Sequence, residues 1–170
     1  MRKLLFAVTA LLLLAGCSRQ YPPLETVKKV DLGRYAGTWY EIARYDHTFE
    51  KGCSKVSATY TRKDDGRIGV VNRCTTEENR TKEAIGIAYA ADTTNSKLKV
   101  SFFRPFYGDY WIIMLDDAYS YAVVGDPSRE YLWILSRRPT LDQETTWSIL
   151  ERLPAMGYDT EKLLWTRQGQ

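Results

Sequence analysis

The side chains best suited to chemistry in this 170-residue chain are its three cysteines and its single histidine. Cys17 lies near the N-terminus, and Cys53 and Cys74 lie further along the chain. A thiolate can act as a nucleophile or bind a metal, and two thiols can form a disulfide. His47 lies near the end of a predicted strand, and no base is evident beside either later cysteine. These four residues leave few candidates for a metal site or for histidine-based catalysis, and no cofactor is implied.

Two pairs of carboxylates, Asp64-Asp65 and Asp116-Asp117, are a second candidate for chemistry, because general acid–base catalysis uses such groups. Each pair lies in a predicted turn beside a strand. Aspartate is favoured there because its side chain hydrogen-bonds the local backbone. We therefore interpret both pairs as turn residues.

Charge and composition narrow the function classes. The chain carries 24 Lys+Arg and 21 Asp+Glu, a net charge of +3, and its longest basic run is two residues. This pattern does not favour a nucleic-acid surface. Aromatic residues make up 13% of the chain, with 11 Gly and 6 Pro. That composition excludes a disordered or collagen-like chain and favours a β-rich core.

The first 16 residues are predicted to be a targeting segment. Arg2 and Lys3 precede an apolar run at 4–15 in which Thr9 is the only polar side chain. A short apolar run behind positive charges is typical of a secretory signal. It is too short for a membrane-spanning helix, which needs about 20 residues.

The end of this segment, Leu14-Ala15-Gly16-Cys17, resembles the lipobox of bacterial lipoproteins. The resemblance implies removal of residues 1–16 and acylation of Cys17. Because Ser18 rather than Asp follows, it also implies sorting to the periplasmic face of a Gram-negative outer membrane. Several acyl chains on one residue anchor a protein firmly. Residues 17–30 are then predicted to form a short stiff tether, and residues 31–170 the folded domain.

Short β-type segments separated by turn residues recur along that domain. Their spacing predicts an all-β fold, in which eight strands with hairpin-length connections close into an up-and-down antiparallel β-barrel. The predicted strands are Trp39–Tyr45, two arms of a hairpin at 54–74, Lys82–Ala91, Lys97–Phe103, Tyr110–Leu115, Tyr119–Gly125 and Tyr131–Arg137, with a short final strand at Leu163–Thr166.

A helical pattern precedes that final strand. Thr140 is predicted to be the N-cap, with Gln143 completing a capping box, and Gly157 is placed where a helix ends. A closed barrel of this size has no room for a helix, so we expect the helix to pack outside the sheet. Its inner face is predicted to carry Leu141, Trp147, Leu150 and Leu153.

Three ordered motifs resemble those of the lipocalin family, over roughly residues 31–167. Gly37-Thr38-Trp39-Tyr40-Glu41 is similar to the signature of the first lipocalin strand. Tyr121–Gly125 and Leu132–Arg137 are similar to the second and third conserved stretches. The resemblance implies that Arg137 covers Trp39, a cation–π contact worth roughly 0.5–2 kcal/mol. Gly37 has no Cβ and would let the chain turn into the barrel floor. We expect these three residues to be structural.

Strand alternation predicts which side chains face the barrel interior. On the second strand Val56, Ala58 and Tyr60 alternate with Ser57 and Thr59, which suit solvent. Small residues such as Ala58, Ala84, Gly86 and Ala88 favour a retained cavity over a filled core. The predicted ligand contacts are Ala58, Tyr60, Val100, Phe102, Arg104, Tyr107, Tyr110, Ile112, Tyr131 and Trp133.

The segment from Phe102 to Gly108 is unusually aromatic for a loop. It is either a loop packed on its own side chains or the mouth of the barrel. In the second interpretation Arg104 and Tyr107 meet a carboxylate or phosphate headgroup. The family resemblance implies fatty acids and lysophospholipids as ligands.

Cys53 and Cys74 are predicted to form a disulfide, because exported proteins commonly oxidise an even set of cysteines. The two residues flank a predicted hairpin. A turn centred on Asp65-Gly66 places Cys53 opposite residue 78, so the bridge requires a bulge near the open end of the hairpin.

Three functions stay open at this point. The first is a non-catalytic, membrane-anchored protein that binds, stores or transports a lipid. The second is a lipocalin-type enzyme with Cys53 or Cys74 as nucleophile, and the third is a structural envelope lipoprotein with a filled barrel. The sequence leaves open which lipid is bound and whether the chain forms a homodimer.

Overall fold

The computed structural model describes residues 21–169, so Cys17 and the predicted signal segment lie outside the described residues. Within that range the chain forms nine strands and two α-helices. The strands are β1 (Gly37–Tyr45), β2 (Ser54–Arg62), β3 (Ile68–Thr75), β4 (Thr81–Ala90), β5 (Lys97–Phe103), β6 (Phe106–Leu115), β7 (Tyr121–Gly125), β8 (Leu132–Ser136) and β9 (Leu163–Trp165). The helices are α1 (Leu32–Tyr35) and α2 (Gln143–Arg152).

The first eight strands form a closed barrel. Each pairs antiparallel with the next along the chain, and β1 pairs with both β2 and β8. Short β9 pairs with the end of β1, from Ala43↔Trp165 to Tyr45↔Leu163. Closure removes the free edges that an open sheet would expose. The predicted eight-stranded antiparallel β-barrel with one C-terminal helix outside is confirmed.

The two ends of the barrel differ in their connections. Residues 63–67, 91–96 and 116–120 join strands at the end where β1 begins, which we call the closed end. Residues 46–53, 76–80, 104–105 and 126–131 join strands at the opposite end, which we call the open end. The assignment follows from the alternating direction of antiparallel neighbours.

Arg137 and Trp39 meet at the closed end. The guanidinium carbon of Arg137 lies 3.9 Å from the centroid of the Trp39 ring. Gly37 has a φ of +97°, which a residue with a Cβ rarely adopts, and an added Cβ would lie 3.3 Å from Arg137 Nη1. The guanidinium also donates hydrogen bonds to the main-chain oxygens of Arg34, Tyr35, Ala36, Thr38 and Tyr119. The same side chain therefore ties α1 to β1 and to the 116–120 connection.

Helix α2 packs on the outer wall of the barrel through Ile149 and through Leu153 directly after its last turn, both of which are fully buried. The prediction of Thr140 as N-cap is wrong, because the Asp142 carboxylate accepts from the main-chain N–H of Thr145 at 2.8 Å. The prediction that Trp147 faces inward is also wrong, since its side chain is 66% exposed. At about 100° per residue, Trp147 lies on the opposite side of the helix from Ile149.

Residues 21–30 pack on the barrel. Leu24 is buried on the outer wall in the cluster of Ile149, and Val30 is buried at the closed end in the cluster of Trp39. The main-chain N–H of Val27 donates to the oxygen of Ile112 at 3.0 Å, and that of Val30 to the oxygen of Thr94 at 2.8 Å. The predicted tether is therefore wrong for residues 21–30, because apolar side chains and backbone hydrogen bonds hold them on the barrel.

Candidate ligand-binding site in the barrel

The barrel interior contains a packed part and an open part. Near the closed end the inward side chains are buried around Trp39 and Tyr35. Other inward positions are only partly buried, namely Ala58, Asn72, Ala84, Gly86, Val100, Tyr110 and Trp133. An inward position can be solvent-accessible only where solvent enters the barrel. These residues therefore line a lumen, which opens at the end opposite the packed part.

Small side chains make the space in this lumen. Ala58, Asn72 and Ala84 lie side by side on β2, β3 and β4, since Ala58 pairs with Asn72 and Asn72 with Ala84. A row of large side chains at these positions would fill the barrel. The sequence-predicted contacts Ala58 and Val100 both lie on this inner surface.

Gly86 allows the Phe102 ring to lie across the inner face of β4. A Cβ at Gly86 would come 2.7 Å from Phe102 Cδ1 and 2.8 Å from the main-chain oxygen of Ser101. Real Cβ atoms do not approach other heavy atoms so closely. Phe102 therefore forms an apolar wall of the lumen near the open end, as predicted from strand alternation.

Three tyrosine hydroxyls meet where the lumen reaches the packed part. Tyr110 Oη lies 2.8 Å from Tyr35 Oη and 2.8 Å from Tyr60 Oη. Burial raises the pKa of all three hydroxyls above the usual value of 10. All three are therefore neutral at physiological pH and share hydrogen bonds. Tyr60 and Tyr110 were both predicted to contact a ligand. Together with Tyr35 they form the lower limit of the lumen, on the side of the closed end.

The position of Ile112 differs from its predicted role as a ligand contact. It follows Tyr110 towards the closed end and is fully buried in the packed part of the barrel. Strand alternation correctly predicted that Ile112 points inward. The hydroxyls of Tyr35, Tyr60 and Tyr110, however, separate it from the open lumen. Ile112 therefore supports the floor.

The aromatic segment at the open end is a hairpin, and this changes the position of two predicted contacts. β6 begins at Phe106, so only Arg104 and Pro105 form the turn. Because Gly108 pairs with the inward Val100, Tyr107 points outward, where its ring lies 5.4 Å from that of Tyr89. Tyr107, which was predicted to meet a ligand headgroup at the mouth, thus has its ring on the outer face of the hairpin. Arg104 is exposed at the hairpin tip.

Aromatic rings gather beside the lumen under the 46–53 connection. Tyr131 and Trp133 stack with their ring centroids 5.8 Å apart. His47 lies 5.3 Å from Trp133 and stacks on Phe49 at 3.7 Å. Trp133 is an inward residue of β8, so this cluster adds an apolar face to the wall, and it contains two of the predicted contacts.

A buried ionic cluster adjoins these rings. Arg44 Nη1 donates to Glu41 Oε1 at 2.9 Å, and Arg44 Nη2 donates to the main-chain oxygen of Glu50 at 3.1 Å. The Glu50 carboxylate oxygen Oε2 lies 3.4 Å from Arg44 Nε and 3.7 Å from His47 Nε2. Glu41 and Arg44 face the same side because a bulge between Glu41 and Ala43 resets the alternation of β1.

The surroundings of this cluster shift two pKa values. Burial, followed by the charge of Glu41, raises the pKa of the Glu50 carboxyl well above 4.5. Burial, followed by the charge of Arg44, lowers the pKa of His47 to about 4. Both groups are therefore neutral near pH 7. Sequence reasoning missed this cluster, although Glu41 shares the inward face of Trp39 by simple alternation.

Cys53 and Cys74 form a disulfide, with their Cα atoms 5.5 Å apart. The predicted bulge is present, because the β2–β3 register shifts between Ser54 and Ser57. Lys55 lies inside this shift and has a φ of +49°. The bulge brings the two cysteines close enough to bridge.

Other features of the described residues are less suited to an apolar ligand. A surface hollow of about 580 Å³ lies outside the barrel, between Tyr21, Tyr45, Arg129 and Lys162. Within residues 21–169 no three His, Cys, Asp or Glu side chains come together as metal ligands. Over the same range, none of the helices is both long and apolar enough to cross a bilayer.

A closed antiparallel barrel with a sealed floor, an internal lumen and one outer helix defines the lipocalin class. The Lipocalin-like domain model matches residues 30–168. The chain belongs to the lipocalin family, as its three sequence motifs indicated. A second model, the prokaryotic membrane lipoprotein lipid attachment site, matches residues 1–18.

Named relatives extend this result. The chain is 46% identical to outer membrane lipoprotein Blc of Citrobacter freundii, over 95% of this chain and 94% of that protein. It is 44% identical to outer membrane lipoprotein Blc of Escherichia coli K12, over 97% and 96%. The solved structure of insecticyanin from Manduca sexta is similar in fold, with a TM-score of 0.72 at 21% identity, over 88% of this chain and 87% of that one.

Proposed function

We propose that this protein is an outer-membrane-anchored lipocalin that binds a lipid inside its barrel and stores or transports it without catalysis. The observation that carries the proposal is the lumen lined by Ala58, Ala84 and Gly86 above a sealed floor. The attachment-site match at residues 1–18 and the outer membrane lipoproteins among the relatives support the location. Within that matched segment, Cys17 is the residue that we propose to be acylated.

Fatty acids and lysophospholipids are the ligands that we propose. A single acyl chain suits a narrow lumen with apolar walls at Val100, Phe102 and Trp133. Burying a 16-carbon chain at about 0.8 kcal/mol per methylene contributes about 12 kcal/mol before ordering costs, ample for micromolar binding. The polar headgroup would remain at the open end, where Arg104 is the exposed cation of the hairpin tip.

Two features weigh against the alternative functions. The enzyme hypothesis needs a free thiol, whereas Cys53 and Cys74 are joined to each other. The hypothesis of a structural lipoprotein needs a filled barrel, whereas inward residues such as Ala84 remain accessible. Titration of free thiols in the purified periplasmic form tests the first point, since two reactive thiols would revive the enzyme.

Native mass spectrometry of the protein purified from its own host tests the proposal directly, and we expect a co-purifying lipid of one acyl chain. A matched pair of variants then locates the ligand. Ala84→Trp places a large ring in the lumen, and Ile85→Trp places the same ring on the outer face, where residue 85 is 70% exposed.

With a fluorescent fatty acid as probe, we expect Ala84→Trp to weaken binding at least about tenfold and Ile85→Trp to leave it unchanged. Near-UV circular dichroism and thermal unfolding show whether both variants fold. Undiminished binding by a folded Ala84→Trp protein, or an equal loss in both variants, would contradict binding in the lumen.

A further inference from the structure

We infer that the open end of the barrel faces the membrane, with the tip of the β5–β6 hairpin in the headgroup region of a phospholipid bilayer. The inference rests on the proposed acylation of Cys17 and deepens the proposed function, because it gives the lumen a direct route to membrane lipids. It does not depend on which lipid is bound.

The first observation is where the chain leaves the barrel. Arg129 lies in the 126–131 connection at the open end. Its Nη2 donates to the main-chain oxygen of Pro22 at 2.6 Å, and its guanidinium carbon lies 5.2 Å from the centroid of the Tyr21 ring. The ring also lies against Gly157, where an added Cβ would come 2.8 Å from Tyr21 Cδ1. The start of the described chain is thus fixed beside the mouth.

The second observation is the length of chain between that point and the acylated residue. Ser18, Arg19 and Gln20 are the only residues between Cys17 and Tyr21. Fully extended, they let the Cys17 Cα lie at most about 14 Å from that of Tyr21. A bilayer that holds the acyl chains of Cys17 must therefore lie close to the open end.

The third observation is the chemistry of the open end. Phe103 and Phe106, on either side of the hairpin turn, are 76% and 71% exposed, and their rings stack with centroids 6.3 Å apart. Arg104 lies between them in the turn. Exposed aromatic rings beside a cation favour the interface of a bilayer, where apolar and charged groups are both accommodated.

The closed end lacks this exposed apolar surface. Its connections carry charged side chains of both signs, with Lys63 and Arg67 on either side of Asp64-Asp65, and the pair Asp116-Asp117. Among the described residues, none of the large exposed hydrophobic side chains lies in a closed-end connection. The position of the anchor and the distribution of apolar surface therefore agree on one orientation.

Site-specific fluorescence in vesicles tests this orientation. Phe106→Cys and Asp64→Cys each add one thiol, at the hairpin tip and at the closed end, to the mature lipidated protein. The native cysteines do not react with a thiol probe when Cys17 is acylated and Cys53 is bridged to Cys74. Each variant is labelled with an environment-sensitive fluorophore and reconstituted into phosphatidylethanolamine–phosphatidylglycerol vesicles that carry a spin-labelled quencher lipid.

We expect the probe at residue 106 to shift its emission to the blue and to lose at least half of its intensity to the quencher. The probe at residue 64 should behave as it does in water. Vesicle flotation separates the two ways of failing. Labelled proteins that do not float would overturn the anchor and this inference together. Proteins that float with equal quenching at both positions, or stronger quenching at residue 64, would overturn the orientation alone.

Discussion

The guanidinium carbon of Arg137 lies 3.9 Å from the ring centroid of Trp39, in a cation–π contact at the closed end of the barrel. Its five main-chain acceptors come from the segments before and after Gly37 and from Tyr119. A single side chain thus joins the end of β8 to residues 34–38, about a hundred residues earlier in the chain, and to Tyr119. The floor depends on it, whereas the lumen wall does not.

Replacing Arg137 by alanine should lower stability and leave lipid preference intact. The variant loses the cation–π contact, worth roughly 0.5–2 kcal/mol, together with its charge-assisted hydrogen bonds. We expect a total loss of about 2–4 kcal/mol in urea unfolding. The exposed neighbour Arg138 gives the matched control, Arg138→Ala, which should change little. Altered lipid selectivity with unchanged stability would assign Arg137 to ligand binding.

Removing the disulfide should destabilise the fold by about 3 kcal/mol, because the bridge closes a loop that restricts the unfolded chain. The measurement is urea unfolding of the double variant Cys53→Ser, Cys74→Ser. A reductant should lower the stability of the parent protein to a similar value and leave the variant unaffected. If reductant destabilised the variant as well, the effect would not come from this bridge.

The tyrosine hydroxyls at the lower limit of the lumen should act as a unit. Tyr110→Phe removes the hydroxyl that both Tyr35 and Tyr60 contact, leaving two buried polar groups without that partner. We expect a loss of about 1–3 kcal/mol in thermal or urea unfolding. Tyr131→Phe, at a residue that is 36% exposed, is the control and should change stability by less than about 0.5 kcal/mol. If Tyr110→Phe lowered stability no more than Tyr131→Phe does, the hydroxyl that Tyr35 and Tyr60 share would not stabilise the fold.

Glu50 should make stability depend on pH. Because its pKa is raised in the folded state, the folded protein retains a proton that the unfolded chain loses above about 4.5. Its contribution to stability is full at low pH and is lost as the pH rises above that value. The parent should therefore lose stability relative to Glu50→Gln, by up to about 1.4 kcal/mol per pH unit.

Urea unfolding of both proteins from pH 4 to pH 9 measures this difference. His47 has its pKa lowered to about 4, so it adds stability as the pH rises from 4 to 6.5. This contribution is present in both proteins and largely cancels in the comparison. A difference between parent and variant that stays constant with pH would mean that Glu50 ionises normally in the fold.

The spacing of β-type segments and the three motifs were enough to predict the barrel. Alternation has a period of two residues and is local, so it placed Ala58, Tyr60, Val100 and Phe102 on the inner face from the sequence alone. The disulfide and its bulge were also predictable, since they need only the cysteine pair and the length of one hairpin.

Other features depend on which strand lies beside which. The bulge in β1 turns Arg44 inward beside Glu41, and only pairing with β8 reveals where that extra residue falls. The segment around Tyr107 was interpreted as a loop, whereas pairing of Phe103 with Phe106 makes it a hairpin and points Tyr107 outward.

Long-range packing decided the remainder. Tyr35, Tyr60 and Tyr110 come from distant parts of the chain, and no local pattern shows that their hydroxyls meet. The course of residues 21–30 towards the open end depends on Arg129, more than a hundred residues away in the chain. Sequence periodicity thus determined which faces of the strands are apolar. Tertiary structure decided where the lumen ends and where the chain leaves the barrel, because both depend on contacts between residues that are remote in sequence.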